Sequence, residues 1–469
     1  MPLVFLLLIS LLYEPHYWRY YPTMSEIGSI TFSNRSVFVG VPDGIYILDR
    51  ERLQHQRTLT AADGIDEKIR FCAFNQAQNE LLIVTATKLY QFLPNSGQVF
   101  ELHPPFKETR SIGITRAGAF IKTETGIYQK LGGDRYQPAQ FVPEPVTWFG
   151  ENDTTPIRNW TFLTPFFILD EQMKPRPLVR AYPDQKNSRL FVTSPGYGVL
   201  IYNLTTGFKE TEIRLGAPSE PVKRIFKLGG KLCFLTRNEN LFIDSSGTWR
   251  SYSIPPGEFS FKDGHLLLRT EIVDLNRRQA ISAILPLPSA TLLGTEMALY
   301  SFGQDGKLTL ITEISKPVNA LAVFRDSTLV ATDDGLFLLI NDTLTPVVDP
   351  FARFDWGVYS IAQTNNTTFF GTLGGVLKLD ENNTWTRLIP PGLDLSQPVR
   401  SIAAARNLLF IASNDGVDVY NIKDNSWTKI DRTNGLPFSE INALYADSLY
   451  LYIAAPGMIA RYEYHHQLR

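Results

Sequence analysis

The chain has 469 residues, 44% hydrophobic and 20% charged, enough apolar material for a large core, which excludes disordered and fibrous classes. Its 45 Lys and Arg against 47 Asp and Glu leave a formal charge of −2, spread without long runs of one sign, which excludes the basic footprint of a nucleic-acid binder. The two cysteines, Cys72 and Cys233, each sit in an apolar run without metal-type spacing, so buried thiols are expected and no metal site.

At the N-terminus, Leu3 to Leu12 form an apolar run of signal-peptide length, too short to cross a bilayer as a helix. Residues 1–12 are therefore expected to be an export segment or an uncleaved anchor, although no Lys or Arg precedes the run and no small-x-small site follows it. The expected compartment is extracytoplasmic: periplasmic, cell-surface or secreted. Asn34-Arg-Ser, Asn203-Leu-Thr and Asn341-Asp-Thr have the form of glycosylation sequons, but the same residues are the chemistry of tight turns.

Residues 13–469 repeat one unit: an apolar strand, a break, a second apolar strand, a Gly-apolar-aromatic turn into a third, and often a Trp-led fourth. The clearest copy runs from Val399 to Asp431 as VRSIAAA, LLFIASNDG, VDVYNIKDN and SWTKID, each with the alternation of a half-buried strand. The turn into the third strand recurs at Gly44, Lys88, Gly126, Gly198, Asn240, Ala298, Gly335, Gly375, Gly416 and Gly457. Most of these spacings lie near the ~40 to 45 residues of a four-stranded propeller blade, and the two long ones equal a blade plus an insertion. The pattern predicts an all-β propeller of about ten four-stranded blades, with inserted connections at about Val142 to Pro177 and Pro255 to Gln279.

The last repeat, from Ile441, ends without its Trp-led fourth strand, whereas His16-Tyr17-Trp18-Arg19-Tyr20-Tyr21 reads like the fourth strands Thr384-Trp385-Thr386-Arg387 and Ser426-Trp427-Thr428-Lys429. The N-terminal strand is thus expected to complete the C-terminal blade and hide two open edges. That pairing argues that the first and last blades share one ring closed by the N-terminal strand, with two smaller propellers as the alternative.

Asn434-Gly435-Leu436-Pro437-Phe438-Ser439-Glu440-Ile441-Asn442-Ala443-Leu444-Tyr445-Ala446-Asp447, followed by Leu449-Tyr450-Leu451-Tyr452-Ile453-Ala454-Ala455, resembles the two-component-regulator propeller repeat. Weaker copies surround Phe38 to Tyr46, Thr328 to Phe337 and Phe369 to Val376. The resemblance implies an extracytoplasmic sensor or interaction domain, sensor-like or part of an envelope assembly. This chain puts Tyr or Phe where the family usually has a Trp in the second strand.

Long connections and Asp-Gly turns on a rigid scaffold form the default recognition surface. The first insertion carries Trp148 and Trp160, which could stack on a sugar, grip a peptide, or pack as a lid. Asp43, Asp334 and Asp415, at turns before third strands, are candidate acceptors for hydroxyls or a cation; such carboxylates also bond their own backbone. His16 would approach His465 and His466 if the closing strands pair. No nucleophile elbow, phosphate-cradling loop or His-Glu-x-x-His occurs, so no catalytic residue and no cofactor are assigned. The expectation is a noncatalytic binding protein with a protein or glycan partner on the insertion-bearing face. The alternative is an extracellular polysaccharide hydrolase or lyase with carboxylates near the channel.

Overall fold

The computed structural model describes residues 15–464, apart from 152–155, 171–172, 217–219, 229–230, 237–239, 246–247, 254–259, 263–264, 268–270, 275–276, 304, 306, 365, 392–393 and 395. No α-helix occurs among the described residues, and ten sheets carry the antiparallel blade pattern. Blade 1 runs Ser29–Phe32, Ser36–Val41, Gly44–Asp49 and His55–Leu59. Blades 2 to 9 begin with the inner strands Ile69–Asn75, Ser111–Thr115, Arg180–Asp184, Val222–Leu228, Arg277–Pro286, Val318–Phe324, Val358–Thr364 and Ile402–Ala405. Blade 10 begins at Ala443–Ala446. The third strands start at, or one residue after, every one of the ten turn positions expected from the repeat.

Seven of the ten turn positions are glycine, and at Gly416 the backbone requires it. Gly416 has φ +147°, and a Cβ there would lie 2.3 Å from the Ile430 carbonyl oxygen on the neighbouring strand. Gly64, with φ +97°, has open space around it. Gly416→Ala is therefore expected to combine backbone strain with a clash, at a cost of about 1–3 kcal/mol, whereas Gly64→Ala carries the backbone part alone. Urea midpoints measure both, and equal losses would remove the clash from the account.

Two compact units divide the blades: Arg19–Ser219 contains blades 1 to 4, and Glu220–Arg469 contains blades 5 to 10 and takes Trp18. Two units are the form of the alternative to a single ring. In the first unit, the inner strand of blade 1 packs against those of blades 2 and 4, and that of blade 2 against blade 3. Phe149, from the insertion, stacks on Tyr182 of blade 4 with centroids 6.4 Å apart. One cluster, with Ile30, Ala73, Ile112 and Phe191 among its members, joins all four sheets.

Buried ion pairs also tie these blades together. Lys130 of blade 3 donates to Glu80 of blade 2 at 2.9 Å, both side chains fully buried. Arg50 of blade 1 holds Asp184 of blade 4. Burial pushes the Asp184 carboxyl upward, but the hydrogen bonds and charge of Arg50, with Asn187, hold it below the usual carboxylate value.

In the second unit the inner strands of blades 6 to 10 pack in sequence, and that of blade 5 packs on blade 10 as well as blade 6, so six blades close on themselves. Each apolar cluster bridges neighbours: Ala283 and Leu299 meet Val318 and Val330, and Leu329 and Leu336 meet Phe354 and Phe370. Closure of the last sheet follows the sequence expectation. The strand order is Trp18–Pro22, Met458–Glu463, Tyr450–Ala455, Ala443–Ala446.

The inner strands of blades 2 and 5 to 8 share a bulge in their first turn of pairing, at Ile69/Phe71, Val222/Arg224, Ile281/Ala283, Val318/Ala320 and Val358/Ser360. A bulge bends the strand and re-aims the side chains beside it. Here it turns short polar side chains toward the next blade. Ser282 donates to the Val318 carbonyl at 2.5 Å, Asn319 to that of Val358 at 3.1 Å, and Ser360 to that of Val399 at 2.7 Å. Such bonds tie the start of each inner strand to the blade before it.

Candidate functional site

The first insertion is largely built into the first unit. Thr147–Gly150 pairs with Ser111–Thr115 as a fifth strand on blade 3, and Phe167–Leu169 with Pro175–Pro177 forms a hairpin. Trp148 stands opposite Gly113, where a Cβ would lie 3.0 Å from the indole ring, so the glycine makes room for it. Trp160 is half-buried against the core of blade 4, beside Leu163, Leu178 and Val192. Both tryptophans therefore contribute to packing.

Other side chains of this region remain in solvent. Phe141 is 74% exposed, Met173 72% and Phe208 77%, with Phe162, Phe167 and Leu169 also exposed. Phe162 covers Gly207, next to Phe208, and tilts against Tyr202 at 6.2 Å. Phe167 and Leu169, two residues apart on one strand, share a face of the hairpin. The second insertion forms the strands Ser260–Lys262, His265–Leu267 and Glu271–Asp274 in the other unit; the last of these pairs with the inner strand of blade 6.

The three turn aspartates are separately engaged. Asp43 lies in the first unit, where burial raises its pKa despite the charge of Lys68. In the second unit, Asp334 accepts from the Ser315 hydroxyl at 3.2 Å, and Asp415 pairs with Lys429 at 2.6 Å. Asp334 and Asp415 do not line the cavity of that unit. His465 and His466 lie outside the described residues.

That cavity, of about 240 Å³, sits among the inner strands of blades 5 to 10. Two residues after the Val or Ile that starts each inner-strand motif stand Arg224, Ala283, Ala320, Ser360, Ser401 and Ala443. Five are small, as the taper of a propeller toward its axis requires. Arg224 alone is long. Its Nε donates to the Ser282 carbonyl at 3.3 Å and its Nη2 to the Asn319 carbonyl. Burial pulls its pKa down to about 10, leaving it charged at neutral pH. Asn319, Gln363 and Tyr445 add polar groups, and Ile284, Ile361 and Leu444 apolar walls. Aligning Val222-Lys223-Arg224-Ile225 with Val399-Arg400-Ser401-Ile402 would have exposed Arg224 as the exception.

No family model matches the chain, and no curated protein does. Among solved structures, it is similar to the extracellular domain of a hybrid two-component system from B. thetaiotaomicron, at 14% identity and a TM-score of 0.43, over 93% of this chain and 68% of that one. It is also similar to the extracellular domain of a one-component system from the same organism, at 11% identity and a TM-score of 0.37, over 93% and 64%. The chain spans about two thirds of the length of these two. A third similar structure is the computationally designed protein Ika8, at 12% identity and a TM-score of 0.24, over 94% and 97%.

Proposed function

We propose that the protein is a noncatalytic, extracytoplasmic recognition module that binds a protein or glycan partner on the insertion surface of its first unit. The observation carrying this reading is the exposure of Phe141, Met173 and Phe208 in and around the described part of the insertion. Exposed apolar groups held by a folded scaffold lose little conformational freedom on binding and contribute contact area there. The apolar run Leu3 to Leu12 supports export. A polysaccharide hydrolase would need two carboxylates converging on one cleft. The cavity lining instead presents guanidinium, amide, hydroxyl and small apolar groups, which favours recognition.

Residues 13–469 and the variant Phe141→Ser/Met173→Ser/Phe208→Ser should unfold at the same temperature, since all three side chains are exposed. Partner capture from envelope extract and binding to a glycan array should both be read. Loss of the captured species in the variant supports the reading. Capture that survives the triple substitution moves the partner surface elsewhere.

A further inference from the structure

We propose that the cavity at the centre of the six-blade unit is a receptor for a small oxyanion-bearing solute, with Arg224 as the group that binds the anion. Arg224 stands where five other blades place Ala or Ser, inside a cavity of about 240 Å³, large enough for a compact solute of monosaccharide size or less. A guanidinium has five N–H donors. Only Nε and one Nη2 hydrogen are engaged, both by backbone carbonyls, which satisfy hydrogen bonds and leave the charge uncompensated. No carboxylate pairs with Arg224 among the described residues.

Stapling blades together does not account for that charge. Ser282, Asn319 and Ser360 each bind the first carbonyl of the next blade with a neutral side chain. Removing a guanidinium from water costs far more than removing a hydroxyl, unless an anion is present. Arg224 is half-buried, and desolvation lowers its pKa, as expected of a cation without a neighbouring counter-charge. Nearby, Lys223 and Arg400 each precede a lining residue; of the carboxylates close to the lining, Asp333 is held by the Asn319 amide at 2.7 Å and Asp447 faces Tyr445. The planar fork of Arg fits two oxygens of one carboxylate or phosphate. Ile284, Ile361 and Leu444 would face the solute's body.

The test is calorimetric titration of the full chain with lactate, hexanoate and inorganic phosphate, beside the neutral isosteres lactamide and hexanamide. At least one anion should bind, its amide should not, and Arg224→Gln should weaken binding at least tenfold. The carboxylate and phosphate arms identify which oxyanion is preferred. Ala404→Leu, which narrows the cavity while leaving Arg224 in place, should also weaken binding, so the proposal stays testable if Arg224→Gln fails to fold. It is overturned if no anion binds, if amides bind as well as anions, or if binding is unchanged in the folded variants.

Discussion

Trp18→Ala is expected to cost the six-blade unit about 3–5 kcal/mol, the usual range for truncating a buried tryptophan. The side chain is 7% exposed, stacks on Tyr462 with centroids 4.4 Å apart, and donates its indole N–H to the Asn434 carbonyl at 2.8 Å. These contacts pin the first strand to the last blade, joining residues more than four hundred positions apart. Loss of the indole should therefore loosen Met458–Glu463, whose outer edge the closing strand covers. Urea unfolding gives the stability loss, and amide exchange in Met458–Glu463 gives its location. Trp18→Phe should retain most of the stacking and lose the hydrogen bond, worth about 1 kcal/mol. Unchanged exchange in Trp18→Ala would remove the strand from the closure of the unit.

Blade boundaries were legible because a half-buried strand forces period-2 alternation and a tight turn forces glycine or asparagine. Asn414-Asp415-Gly416 and Asp333-Asp334-Gly335 marked third strands without any tertiary knowledge. Trp18 marked closure because the fourth strands at Trp385 and Trp427 have the same form. The partition into four and six blades was not legible, because the rotation between neighbouring sheets depends on side-chain volumes along both faces of every blade. Functional readings fared differently. Tryptophans stand out in a sequence, yet Trp148 fits over Gly113 and Trp160 over the blade 4 core, while Phe141 and Phe208 carry the exposed surface. Turn aspartates drew attention by residue type, but Ser315 and Lys429 occupy Asp334 and Asp415. Arg224 escaped notice since one arginine among many has no local signature. Its meaning arises only against the small residues at five matching positions.

In the four-blade unit the largest expected loss follows Glu80→Ala. Glu80 and Lys130 are both fully buried, and the Glu80 carboxylate also accepts from Asn75 at 2.9 Å and from Gln91. Removing it leaves the Lys130 ammonium and the Gln91 amide without this acceptor, and Asn75 with only the longer bond to Gln78 at 3.3 Å, in a buried seam between blades 2 and 3. Breaking a buried pair by one partner typically costs about 3–5 kcal/mol, and urea unfolding should show a loss of that order. Lys130→Met alone should cost less, because the two amide donors still serve the carboxylate. The double variant Glu80→Gln/Lys130→Met removes both charges while retaining an amide oxygen for Asn75, and should recover most of the stability lost in Glu80→Ala. If the double variant is as unstable as Glu80→Ala, the pair's Coulomb attraction stabilises the seam beyond what it costs to bury. Recovery would mean instead that apolar packing can join the two blades, with the ion pair serving chiefly to neutralise charges already buried there.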